Sequence, residues 1–253
     1  MGSSGCTLCG SRPSGRHVIS LHGEVTCARH PESGGCALCG RPRHAGERGW
    51  SDFTPTSARC PTCASQAIED QEAARAHIPG VRAEMAAVGI RLDQRVRVTL
   101  IDPVLINTGP AAFCLGRTRT WTGQDEGGVL GIEIARGLTA THFGATLAHE
   151  IGHAWLFQQG ARGLPAQVEE GVCELFAGAW LKRRRTAFAD AVRRSALDSP
   201  DPVYGAGYRL VRAAVVAHGI DAVLTSVRAG GALPPPAPRA GWTSAAARKL
   251  RRT

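Results

Sequence analysis

Five consecutive residues, His149-Glu150-Ile151-Gly152-His153, have the types and the spacing of a catalytic metal site. Side chains four positions apart project from one face of a helix, so His149 and His153 can bind the same metal ion. Glu150 lies roughly 100° round the helix from His149, which puts it beside the metal. There it can take a proton from water and pass it to a leaving amine. The pattern predicts peptide hydrolysis, with two packed or exposed histidines as the alternative.

A glutamate-rich segment downstream can complete this site. Residues 168–174 are predicted to be helical and follow a turn through residues 160–165. Glu170 and Glu174 lie one turn apart on one face, whereas Glu169 points elsewhere. We therefore expect Glu170 to be the third zinc ligand, which leaves the fourth position open for water. Glu174 is expected to orient a histidine N–H, and Glu169 to be a solvated charge.

The N-terminal region contains paired cysteines and histidines with the spacing of structural zinc sites. Two zinc knuckles supply the four ligands of a tetrahedral site. One predicted set is Cys6, Cys9, Cys27 and His30, and the other is Cys36, Cys39, Cys60 and Cys63. The region has few large apolar residues, so it is expected to need the metal to fold. We therefore predict one catalytic and two structural Zn²⁺ ions. Reduced cysteines that bind nothing are the alternative.

Hydrophobic periodicity predicts the elements that position these residues. A short hairpin is predicted at residues 17–21 and 24–26, a broken helix at 64–89, and strands at 96–101 and 129–135. Helices are predicted at residues 139–159, 166–185, 208–218 and 220–229, and residues 107–128 have a turn-rich composition. Strands followed by helices place this part in the α+β class. The strand from residue 129 is expected to hold an extended peptide by main-chain pairing.

Composition and charge bound the domains and the partners. We predict a tandem zinc-knuckle domain at 1–65, a helical connector at 66–95, a catalytic domain at 96–234 and a basic disordered tail at 235–253. The net charge of +9 lies mostly outside the knuckles and without interleaved aromatic residues, which disfavours nucleic acid as a partner. No stretch approaches the length of a membrane span, and no signal core begins the chain, so we expect a cytoplasmic protein.

Three segments together resemble the DA1 peptidases, a group of plant proteins with bacterial relatives. These segments are residues 149–156, residues 168–175 and Tyr204-Gly205-Ala206-Gly207-Tyr208-Arg209. The resemblance spans roughly residues 96–234 and implies a zincin-like metallopeptidase domain behind a LIM-type zinc domain. The pair Glu170-Gly171 also resembles the third-ligand helix of the wider gluzincin group, which implies Glu170 as ligand.

The same resemblance bears on the oxyanion and on the knuckles. The tetrahedral intermediate of peptide hydrolysis needs a hydrogen-bond donor besides zinc. Tyr204 matches the family motif and is the expected donor, with His218 as an alternative. In the knuckles the resemblance is one of architecture, because the order Cys27-x-x-His30 differs from the LIM pattern of His-x-x-Cys. The N-terminal domain is therefore described as LIM-like.

Three functional interpretations remain open from the sequence. The first is a zinc peptidase acting on protein or peptide substrates, with a zinc module that presents substrate or restrains the active site. The second is a zinc-ribbon protein that binds protein or nucleic acid through an inactive peptidase-like scaffold. The third is an autoinhibited peptidase released by a protein activator that displaces the zinc module.

Overall fold

The computed structural model describes residues 5–12, 15–30, 32–44, 46–107, 114–123, 127–230 and 233–234, and the predicted tail at 235–253 lies outside them. The fold is mixed α/β with a cysteine-rich region near the N-terminus. The strands are β1 (His17–Ile19), β2 (Val25–Cys27), β3 (Glu32–Gly35), β4 (Pro42–His44), β5 (Ser51–Thr54), β6 (Ser57–Arg59), β7 (Ala67–Ile68), β8 (Val98–Ile101), β9 (Gly116–Thr122), β10 (Gly127–Ala135) and β11 (Leu138–Thr139). The helices are α1 (Pro61–Ser65), α2 (Gln71–Ala86), α3 (Pro103–Ile106), α4 (Ala140–Gln158), α5 (Ala166–Arg184), α6 (Ala187–Asp198), α7 (Tyr204–His218) and α8 (Ile220–Arg228).

The largest described sheet has the order β8-β10-β9. β10 pairs in parallel with β8 and antiparallel with β9, so both of its edges are occupied. The prediction that this strand holds a peptide is therefore wrong, and β9 is an edge strand instead. The composition of β9 hid it from the sequence, because its residues alternate Arg and Thr and most are exposed. A strand with little burial shows no apolar alternation.

Two long helices, α4 and α5, pack closely and form the framework for residues 149–153. Thr139 begins α4 by accepting a hydrogen bond from the amide of His142. Glycine permits the close approach: an added Cβ on Gly152 would lie 3.0 Å from Sγ of Cys173 on α5. Interiors are packed to the density of crystals, so the two helices hold a fixed separation. The side chains that project between them are therefore well positioned.

One helix was not predicted, and another begins earlier than predicted. Helix α6 was not predicted, although its exposed and intermediate residues alternate as on an amphipathic surface helix. Helix α7 begins at Tyr204 and not at residue 208, because Oδ1 of Asp201 accepts hydrogen bonds from the amides of Val203 and Tyr204. This capping satisfies amide groups that the first helical turn leaves without partners. It brings Tyr204 onto the helix.

The zinc-knuckle region is packed onto the helical part of the chain. The buried Arg59 donates to Oε1 of Glu69 at 2.6 Å and to the carbonyl of Gly137 at 2.9 Å. Strand β7 pairs with β11, which leads directly into α4, and α2 packs against α4. The segment expected to be a connector therefore contacts the helix that carries His149.

The described helices differ from membrane spans in length or composition. No single one is both long and apolar enough to cross a bilayer, and only α7 and α8 taken together, bent by 119°, reach the required length and composition.

Candidate metal centre

Two histidines of α4 and one glutamate of α5 converge on a single point. Nε2 of His149 lies 3.1 Å from Nε2 of His153 and 3.1 Å from Oε2 of Glu170. The same Glu170 oxygen lies 3.4 Å from Nε2 of His153. A tetrahedral zinc ion with bonds of about 2.0–2.1 Å holds its ligand atoms roughly 3.3–3.4 Å apart. The three atoms therefore fit one ion, and two imidazoles with one carboxylate are a donor set that catalytic zinc uses.

Each histidine is held through its other ring nitrogen by a second carboxylate of α5. Nδ1 of His149 lies 3.3 Å from Oε1 of Glu174, as the sequence predicts for Glu174. Nδ1 of His153 lies 3.0 Å from Oε1 of Glu169, which the sequence assigned to solvent. The Glu169 side chain is 42% exposed, as expected of a solvated charge, but the prediction missed this contact because it asked only which glutamate faces the metal. A carboxylate pointing away from the metal can still reach the far nitrogen of a ligand ring.

The charges at this centre are mutually dependent. Burial disfavours the charged form of His149, but the carboxylates of Glu170 and Glu174 outweigh it and raise its pKa. Burial also opposes the charged form of His153, but Cys173, Glu169 and Glu170 together raise its pKa. For Glu170, burial raises the pKa, but the hydrogen bonds with the two histidines lower it to about 2. The same contacts thus raise the pKa of both histidines and lower that of Glu170.

Cys173 offers another metal-binding atom in this region. Its Sγ lies within 4.8 Å of a nitrogen of each histidine. The residue is fully buried against the backbone of Gly152. Glu170 is the better third ligand, because its Oε2 lies within 3.4 Å of both Nε2 atoms.

Glu150 lies beside this point and is nearly inaccessible to solvent. Thr118 on β9 donates its hydroxyl to Oε2 of Glu150 at 2.8 Å and to the carbonyl of Glu150 at 2.9 Å. Gly116, also on β9, allows the strand to approach, because an added Cβ would lie 2.9 Å from Oε1 of Glu150. The edge strand thus fixes the carboxylate, a role that the turn-rich composition of this segment gave no reason to expect.

A cavity of about 400 Å³ opens next to the centre and is lined by His149, Glu150, Tyr204 and Cys114, among others. The ring centroid of Tyr204 lies 6.3 Å from that of His149. Burial, with Glu170 and Cys114 nearby, raises the pKa of Tyr204, so its hydroxyl keeps its proton. His218, the alternative donor, lies at the opposite end of α7 and does not line the cavity.

The structure brings together the members of each predicted N-terminal set. In the first, Sγ of Cys6 lies 3.4 Å from Nε2 of His30, and Sγ of Cys9 lies 3.9 Å from Sγ of Cys27. Thiolates on one tetrahedral zinc ion lie roughly 3.8 Å apart. The amide of Cys27 is the largest of the influences that lower the pKa of Cys6 to about 5, which favours the thiolate that zinc binds.

The second set is more deeply buried. Its members are Cys36, Cys39, Cys60 and Cys63, and they group within 4.8 Å of one another. Sγ of Cys39 lies 3.6 Å from Sγ of Cys60. Both clusters could bind zinc.

A row of rings that the sequence analysis did not identify joins the second cluster to α4. Nε2 of His22 lies 3.3 Å from Sγ of Cys63, and its ring stacks on Phe188 of α6 with centroids 4.1 Å apart. Phe188 packs edge-on against His142 of α4. His142 also lines the cavity beside His149. These contacts are between residues far apart in the chain, so no local pattern could have revealed them.

Comparison with known proteins identifies a family for the part of the chain that contains the candidate metal centre. A family model described as "DA1-like: Protein DA1" matches residues 63–201, more than half of the chain. Protein DA1-related 2 of Arabidopsis thaliana is 28% identical over 140 residues, covering 42% of this chain and 26% of that protein. Protein DA1 of the same plant is 28% identical over 134 residues, covering 42% of this chain and 25% of that protein. Protein DA1-related 7, also from Arabidopsis thaliana, is 30% identical over 131 residues, covering 40% and 23%.

The matched region of this chain thus corresponds to about a quarter of the length of these curated relatives. No solved structure matches the chain.

Proposed function

The chain belongs to the DA1-like family, and we propose that it is a zinc-dependent peptidase that hydrolyses protein or peptide substrates. The observation that carries this proposal is the convergence of His149, His153 and Glu170 beside the buried Glu150. The matched relatives are distant and far longer, so the activity is argued from the residues of this centre.

The three converging side chains would hold the catalytic zinc ion, with Glu169 and Glu174 fixing the orientation of the two rings. Zinc bound there would polarise both the attacking water and the scissile carbonyl. With zinc bound, the carboxylate beside each Nδ1 would hold the single ring proton there, which leaves Nε2 as the ligand atom. Glu170 brings a negative charge, which favours a divalent cation over a neutral occupant.

Glu150 would act as the general base at its carboxylate. The Thr118 hydroxyl occupies Oε2, so Oε1 is the atom available to receive a proton from water. The same oxygen can then hand that proton to the leaving amine. Burial excludes bulk water from Glu150 and so strengthens its electrostatic interactions with the reacting groups.

Strand β9 offers a way to bind an extended substrate. Among the described strands it has a partner only on its β10 side, and it passes directly over Glu150 through Gly116 and Thr118. A peptide paired with its free edge would run across the candidate metal centre. Tyr204, which lines the same cavity, would donate a hydrogen bond from its hydroxyl to the oxyanion.

The N-terminal clusters would hold two structural zinc ions, and the second would brace the start of α4. Arg59 and β7 join that cluster to Gly137 and β11, immediately before the helix. This fixed attachment favours a supporting role for the second zinc site. It leaves the first site, residues 6–30, as the part of the module able to contact a substrate or an activator.

Replacement of Glu150 by Gln tests the proposal. The protein is loaded with zinc and incubated with a peptide library, and cleavage is followed by mass spectrometry. We expect E150Q to retain its zinc and to lose activity by about 10²–10⁴-fold, the usual contribution of a general base. Glu72→Gln, at an exposed position of α2, is the matched control and should cleave normally. Equal cleavage by E150Q and the wild type would contradict the proposal.

A further inference from the structure

A second cavity, separate from the candidate metal centre, is lined by four arginine side chains. It has a volume of about 920 Å³ and lies between α2 and the segment leading into β8. We call it the arginine groove; its charged residues are Arg75, Arg82, Arg95 and Arg97. It shares no lining residue with the cavity beside His149. The four guanidinium groups come from two segments of the chain, so the fold concentrates their charge at one place.

Within the described part of the chain, no acidic side chain pairs with these arginines. Among the described residues, none of the four arginines has a carboxylate oxygen within 4.0 Å. An adjoining cavity contains Asp93 together with Arg91, which leaves the surroundings positive. Burial and then the charge of Arg95 lower the pKa of Arg82. Guanidinium groups that repel one another and lack acidic partners form a ready site for an anion.

The hydrogen-bonding edge of β8, which forms one wall, is already occupied. The side-chain amide of Gln71 donates to the carbonyl of Val98 at 3.2 Å and accepts from the amide of Leu100 at 2.8 Å. Arg82 donates to the carbonyl of Val96. An acidic peptide could therefore gain no main-chain pairing by lying along this strand. The groove is suited to an anion that is bound through its charge alone.

Two other occupants are disfavoured by the lining. The apolar part of the surface is provided by Ile78, Pro79, Val96 and Val98, with no aromatic side chain on which a nucleic-acid base would stack. The C-terminal residues of this chain are basic and would be repelled. A compact ligand with several negative charges matches the groove better than a long polymer does.

We propose that the arginine groove binds a compact polyphosphate, either a free oligophosphate or the headgroup of a phosphorylated lipid. Linked phosphates place roughly one to two negative charges on each phosphorus, so a few of them balance four arginines. Guanidinium forks donate paired hydrogen bonds that match the oxygen geometry of phosphate. The proposal is independent of the peptidase function, because the groove contains none of the residues placed at the metal centre.

Calorimetric titration of the zinc-loaded chain with sodium tripolyphosphate tests this proposal. Arg75→Gln and Arg97→Gln remove exposed guanidinium groups from the groove, and each is expected to weaken binding about tenfold, as for the loss of one charged hydrogen bond. Arg194→Gln removes one exposed arginine from α6 and is the matched control, expected to bind as the wild type does. Zinc content is measured before and after, because tripolyphosphate can also remove zinc from the protein. That removal would be the same in all three variants, so it cannot account for a difference between them.

Further probes identify the source of the phosphate. Phosphatidylcholine vesicles containing phosphatidylinositol bisphosphate are compared with vesicles lacking it. Tighter binding to the phosphorylated vesicles than to tripolyphosphate, with the same dependence on Arg75 and Arg97, supports the lipid form; weaker binding supports the free form. Tighter binding to poly-glutamate or to single-stranded DNA overturns the proposal. So does a tripolyphosphate affinity that R75Q and R97Q leave within twofold of the control.

Discussion

Glu169 Oε1 lies 3.0 Å from Nδ1 of His153, on the side of the ring opposite the point where the metal ligands converge. Glu174 makes the equivalent contact with His149 at 3.3 Å. Helix α5 thus supplies Glu170 to the candidate metal centre and one supporting carboxylate to each histidine. The two glutamates beside each other in the sequence, Glu169 and Glu170, have different predicted effects when they are replaced.

Replacement of Glu170 by Gln should lower zinc affinity more than replacement of Glu169 by Gln. The first change removes a charged ligand, whereas the second removes a partner of a ligand and is expected to cost about 10–100-fold in affinity. Competition with a zinc chelator, with metal content read per chain, measures both. Equal affinities for the two variants would contradict the assignment of Glu170 as the third ligand.

Replacement of Gly116 by Ala should impair catalysis with little effect on zinc binding. The added methyl group would lie 2.7 Å from Cγ2 of Thr146 and 2.9 Å from Oε1 of Glu150, so β9 or Glu150 must shift. A displacement of about 1 Å in a catalytic group can cost 10²-fold in rate. Gly80→Ala, in a helical position with open space around it, is the control and should cleave peptides normally. Unchanged kcat/KM in G116A would rule out a fixed position for Glu150.

Replacement of Tyr204 by Phe should lower kcat by about 10²–10³-fold and leave KM nearly unchanged, because an oxyanion donor acts only in the transition state. Tyr208→Phe is the matched control. Its hydroxyl is buried against Gly178 and faces away from the cavity lining, so this variant should lose stability and not kcat. A rise in KM alone for Y204F would instead indicate a role in substrate binding.

Metal analysis should find three zinc ions per chain. The first cluster, the second cluster and the His149 centre each offer a separate set of converging ligand atoms. Cys60→Ser should remove one zinc ion and lower the melting temperature of the helical part as well, because Arg59 and β7 connect the second cluster to the start of α4. A helical part whose melting temperature stays the same would contradict that coupling.

The stability of the chain should depend on pH through His142. Burial lowers the pKa of this residue to about 4 in the folded state, against 6.5 for the exposed group. The unfolded chain therefore binds more protons below pH 6.5, so the stabilising effect of the neutral ring is present above that pH and is lost as pH falls towards 4. Between pH 7 and pH 5 the loss is about 2 kcal/mol.

Urea unfolding of the zinc-saturated protein at the two pH values measures this loss. His142→Gln is the control, since its side chain does not titrate, and subtracting its pH dependence removes the contribution of the other groups. Identical pH dependence in the two proteins would show that folding does not lower the pKa of His142.

The local chemistry of this protein was predictable because it depends on short-range spacing. Two histidines four positions apart share a helix face, and paired cysteines three positions apart can bind one zinc ion. The long apolar helix around His149 was likewise predictable from its periodicity. Strand β9 was not, because an exposed strand has no apolar alternation; α6 was missed although its residues carry an amphipathic pattern.

The sequence by itself therefore determined the candidate ligand residues, the helix that carries His149 and the family resemblance. Only the tertiary structure decided that Glu169 holds His153, that Thr118 holds Glu150 and that β9 is an edge strand beside them. Each of these contacts joins residues from different elements, and their geometry follows from how α4, α5 and the sheet pack. The arginine groove has the same origin, because its charges become a site only when α2 folds against the segment before β8.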